Sequence, residues 1–134
     1  IVTGLVGSEM CIRDRAQSME EVYQAQVYPF WWKIAAPADE NEWEQVTRIL
    51  DKHDPQAGVI LLGKNAPIED FAEWFRVVRS SPYACGFAIG RSIFWQAWLD
   101  FASGKLASEK IPEIISQHYL HLIELWDSAK NLES

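Results

Sequence analysis

The chain has 134 residues, 49% of them hydrophobic, a formal net charge of −7, seven tryptophans and two cysteines. That length allows one domain around one core, and the apolar fraction excludes a disordered chain. An acidic balance repels phosphate backbones and offers no basic block to a lipid headgroup, so neither nucleic acid nor a membrane surface is an expected partner.

In chain order, the first stretch is IVTGLVGSEMCIRDR (1–15). It lacks the charged start, apolar core and small-residue cleavage site of a signal peptide. Its part LVGSEMCIRDR reads as the translation of a transposon-based sequencing adapter, so 1–15 is expected to be a non-native segment. Residues 16–134 are then expected to be the C-terminal part of a longer protein's domain. Cys11 and Cys85 make no disulfide framework, which suits a reducing, cytoplasmic setting. No apolar run approaches the roughly 18 residues of a membrane span.

Residues 16–26 read as the end of a helix. YPFWWKIAAP (28–37) is an aromatic, apolar run closed by prolines, a strand over about 28–35. Asp39 is a good N-cap for a helix near 40–53, with Trp43, Val46, Ile49 and Leu50 on one stripe. After the turn DPQAG comes GVILLG (58–63), a buried type of strand. A helix over 66–79 follows, with Ile68, Phe71, Phe75 and Val78 on one face. ACGFAIG (84–90) is a third short strand. Next comes a helix over 92–103 bearing Phe94, Trp95, Trp98 and Leu99, ended by Gly104. Ser108 is expected to cap a last helix to about 130, with Ile111, Ile114, Ile115, Leu122 and Trp126 inward.

Strands apolar on both faces, alternating with helices, predict an α/β fold with a parallel sheet covered by helices. A (β/α)8 TIM barrel needs about 250 residues. The expectation is therefore the last three βα units of such a barrel plus a terminal helix. A doubly wound fold competes, but no G-x-G-x-x-G or P-loop follows any strand.

Three places carry candidate chemistry. Lys33 stands near a strand end between aromatic and apolar residues. As a surface charge it has no role; desolvated, it would have a lowered pKa and could attack a carbonyl. Gly63-Lys64-Asn65 and Gly90-Arg91 end the next two strands. There glycine admits a ligand, a helix start offers amide donors and a cation supplies charge. Their bland reading is turn glycines with surface cations. His118, His121 and Glu124 have metal-capable spacing but no further ligand group, so no metal is expected and the histidines read as structural. Cys85 and the stripe Trp95, Trp98, Phe101 read as core.

YPFWWKI (28–34), VILLGKNAP (59–67), GFAIGRSIF (86–94) and HYLHLIELW (118–126) together carry a resemblance. From about Val22 to Trp126 the chain resembles the aldolase-like domain fused to the C-terminus of bacterial 5-dehydro-2-deoxygluconokinase, of myo-inositol catabolism. More distantly it is similar to tagatose-bisphosphate class I aldolases, which are TIM barrels. The resemblance implies that Lys33 is the Schiff-base lysine at the end of strand 6. It implies that Gly63 and Gly90-Arg91 form the phosphate loops after strands 7 and 8. The implied substrate is 6-phospho-5-dehydro-2-deoxygluconate, cleaved to dihydroxyacetone phosphate and malonate semialdehyde without a cofactor. The implied partners are the N-terminal barrel half and, in the fused members, a kinase domain upstream. Where the family's loop carries an apolar residue and an acid before Ala-Pro, this chain has Lys64-Asn65, adding positive charge. The alternative is a non-catalytic phosphosugar-binding or structural C-terminal domain of a carbohydrate kinase. Under either reading the chain alone is expected to be inactive, with two open sheet edges.

Overall fold

The computed structural model describes residues 12–131, with side chains over 14–130. Residues 1–11, most of the adapter-like stretch, lie outside the described residues. Helix α1 (Ile12–Gln24) takes in its last few residues, starting earlier than the expected boundary at 16. In the first turns of α1, Arg15 sits 3.7 Å from Glu42.

Asp39 caps α2 (Glu40–His53) as predicted: its carboxylate accepts from the Glu42 N–H at 2.9 Å, and the Glu42 carboxylate accepts from the Ala38 N–H at 2.7 Å. The exchange satisfies two donors that the helix start would otherwise leave free. Trp43, Val46 and Leu50 are buried, so the apolar stripe of α2 faces the core. Strand β1 (Trp31–Ala35) is shorter than expected, because Tyr28 and Phe30 stay exposed ahead of it. Strands β2 (Gly58–Leu62) and β3 (Ala84–Ala88) follow their predicted starts. The helix expected over 66–79 is a 3-10 turn at Ile68–Asp70 leading into α3 (Phe71–Val78). Helix α4 (Arg91–Ala102) ends at Gly104, whose φ of 81° is a left-handed conformation that glycine adopts without strain. A second 3-10 turn, Ser108–Lys110, precedes α5 (Ile111–Asn131); Ser108 is its first residue and not a cap.

The sheet is parallel throughout, in the order β1-β2-β3. Because strand order follows chain order, crossovers of one hand send every helix to the same side. Ile34, Val59, Leu61 and Ala84 point into a core shared with Met19, Tyr23, Phe71, Phe75 and Leu122. Each fully buried side chain of this set stabilises the fold by about 1.5–3 kcal/mol. The other face carries Trp31, Lys33 and Ala35 of β1 with Gly58, Ile60 and Leu62 of β2, and none of these except by backbone register joins the core. Among the described residues, helices cover one face of the sheet and the other is open.

Two further expectations change. Cys85 is exposed, because the register irregularity at Val59/Ile60 leaves it unpaired between Ala84 and Gly86, on the open face. On α4 the buried residues are Ile93 and Ala97, one turn apart, a narrow contact with α5. Phe94, Trp95, Trp98, Leu99 and Phe101 fall on the remaining sides and are exposed.

Candidate functional site

The carboxyl ends of β2 and β3 lie side by side in a parallel sheet, so the turns that follow them meet. Between them is a cleft of about 340 Å³ lined by Gly63, Lys64, Asn65, Gly90, Arg91 and Ser92, with apolar walls from Leu62, Ile89 and Phe94. Five of the six residues singled out in the sequence come together here. No acidic side chain lines the cleft. In a chain of net charge −7, that leaves Lys64 and Arg91 as a local concentration of positive charge.

The turn after β2 is a tight one. The Ala66 N–H donates to the Gly63 carbonyl at 3.0 Å, and the two central residues, Lys64 and Asn65, have φ of 50° and 60°. Two successive positive φ values define a type I′ turn. Asparagine tolerates that conformation; lysine pays a steric cost of about 1–2 kcal/mol between Cβ and the carbonyl. Gly63 is buried, and a Cβ on it would come within 2.9 Å of the Phe71 ring and 3.2 Å of Ile89. Its glycine is therefore required by packing behind the turn, whereas the sequence suggested ligand approach.

After β3, the Gly90 carbonyl accepts from the Ile93 N–H at 2.8 Å and the Phe94 N–H at 3.2 Å, opening α4 at the cleft. The first N–H groups of α4 have no acceptor within the helix and favour an anion. His118 of α5 anchors this turn: its Nδ1 donates to the Ile93 carbonyl at 2.7 Å. That is a structural role, and among the described residues no three His, Cys, Asp or Glu side chains gather to hold a metal ion.

Lys33 does not line this cleft. It lies on β1, two residues before the strand ends, opposite Ile60 in the register, on the open face. It is exposed among the described residues. The covered neighbours, Trp32 and Ile34, point the other way.

Sequence reasoning missed Ser92. Its Oγ is shut off from solvent and has no hydrogen-bond partner among the described residues. The signal was available: a small polar residue in the first turn of a helix, directly after Gly-Arg.

No helix is long and apolar enough to cross a membrane among the described residues. Comparison with curated proteins and with solved structures returns no match. A family model described as an uncharacterized protein conserved in bacteria (DUF2090) matches residues 7–130, nearly the whole chain. The chain that brings these two glycine–cation turns into one cleft belongs to that bacterial family.

Proposed function

We propose that the chain is the last part of a (β/α)8 barrel, and that the barrel is a class I aldolase-like domain acting on a phosphorylated keto-sugar acid. The observation that carries this reading is the cleft itself: two cations and a helix start converge at the carboxyl ends of β2 and β3. Parallel strands in chain order, with helices on one face, fit a barrel wall whose open face is the interior. Lys33 would then project into that interior at the next strand over.

In this reading the Lys33 amine condenses with the substrate ketone and releases water. A base supplied by the rest of the barrel takes the proton of the hydroxyl on the far carbon of the bond to be broken. The carbon–carbon bond cleaves, its electron pair passes into the protonated imine, and an aldehyde leaves. The enamine is reprotonated and hydrolysed to free the second product. With 6-phospho-5-dehydro-2-deoxygluconate the products are malonate semialdehyde and dihydroxyacetone phosphate. Lys64, Asn65 and Arg91 would hold the phosphate.

The exposure of Lys33 favours a second reading, in which the domain binds a phosphosugar beside a carbohydrate kinase without catalysis. Sodium borohydride reduction of the full-length protein in the presence of the substrate separates the two. The expected result is a phosphate-bearing mass on the Lys33 peptide. Unaltered turnover by Lys33→Ala would eliminate the Schiff-base reading, and phosphate binding with neither adduct nor turnover would eliminate it and keep the second.

A further inference from the structure

Among the side chains lining the cleft, Ser92 is the one whose polar atom is both closed off from solvent and without a partner among the described residues. A buried hydroxyl without a partner is destabilising, and native proteins keep few of them. The residue nevertheless sits in the first turn of the twelve-residue α4, in the lining of a cleft that also holds Lys64, Asn65 and Arg91.

We propose that Ser92 is a specificity-determining residue of the cleft, its hydroxyl donating to a phosphate monoester dianion. This rests on the phosphate reading of the cleft and not on the aldolase reading. Reaching a ligand in the cleft requires rotation about χ1, the only heavy-atom torsion of serine. The donor set decides the ligand class. Lysine, guanidinium, amide and hydroxyl groups, with free N–H groups at the helix start and no carboxylate in the lining, offer more donors than a planar carboxylate has lone pairs in reach. A tetrahedral dianion uses them. A hydroxyl left idle in the empty cleft becomes a charge-assisted hydrogen bond in the filled one.

The test titrates the whole chain with inorganic phosphate, following heat by calorimetry and unfolding by thermal melt, for the wild type, Ser92→Ala and Arg91→Gln. In the absence of phosphate, Ser92→Ala is expected to melt at or above the wild-type temperature, because it removes an unsatisfied group. Its phosphate affinity is expected to fall about tenfold. A lower melting temperature without phosphate would make the hydroxyl structural and overturn the proposal. Equal phosphate affinity in Ser92→Ala, with Arg91→Gln weakened, would overturn it while leaving the phosphate cleft intact. A wild type that takes up no phosphate would overturn the cleft reading and this inference with it.

Discussion

The Trp32 indole N–H donates to the Tyr23 hydroxyl at 2.8 Å, tying the first strand to the helix before it. Tyr23 is buried and also stacks on His53, ring centroids 4.9 Å apart, so one side chain joins α1, β1 and α2. Tyr23→Phe keeps the stacking and leaves the indole without its acceptor. The expected loss is about 1–2 kcal/mol, read as a lower urea midpoint with an unchanged slope.

Two helices end in the same hydrogen-bond pattern with different residues at its key position. In α1, Val27 N–H reaches the Val22 carbonyl and Gln26 N–H the Tyr23 carbonyl; in α4, Lys105 N–H reaches Asp100 and Gly104 N–H reaches Phe101. This is the Schellman arrangement, which needs a left-handed residue. Gln26 supplies it at φ 62° where α4 uses Gly104. Gln26→Gly is expected to stabilise by about 1 kcal/mol and Gly104→Ala to destabilise by a similar amount. Denaturant unfolding of the pair checks both signs.

The strained Lys64 separates stability from binding. Lys64→Gly frees a left-handed position and is expected to raise stability by about 1 kcal/mol. It also removes one of the two cations of the cleft and should weaken phosphate binding. Thermal melts and phosphate titration on one sample read the two effects, which should move in opposite directions.

Tyr83 is buried and its hydroxyl donates to the Asp51 carboxylate. Burial, then the Asp51 partner, pushes its pKa from 10.0 up to about 12. A raised value means the fold favours the protonated phenol. Its contribution is therefore fully present below pH 10.0 and lost as pH rises through about 12. Unfolding midpoints measured from pH 8 upward should fall across that window in the wild type and flatten in Tyr83→Phe.

The open sheet face predicts self-association. Phe30 is 83% and Trp31 57% exposed, and β1 and β3 each keep one unpaired edge among the described residues. Such edges template pairing between chains. Sedimentation of the isolated chain should show association that grows with concentration, reduced in Trp31→Glu.

Much of this protein was legible locally. The Asp39 cap, the Trp43-Val46-Leu50 stripe, the strand beginning at Gly58 and the stop at Gly104 depend on neighbours within a turn or two, and nearby residues suffice to read them. The pairing of the Gly63 and Gly90 turns could be suspected from their repetition after consecutive strands. Aromatic residues on α4 misled, because hydrophobicity marks what would gain from burial and not whether a neighbour exists to bury it. Cys85 misled for a related reason: one irregular residue in the register turned it to the opposite face.

By itself, then, the sequence determined the order and type of the elements, since caps, turns and apolar periodicity act over a few residues. Tertiary structure decided which face of the sheet is covered, that Lys33 stands exposed on the open face outside the cleft, and that within the cleft Lys64 is held left-handed and Ser92 idle. Those outcomes depend on strand register and on which side the crossovers pass, and both are set by the packing of residues far apart in the chain.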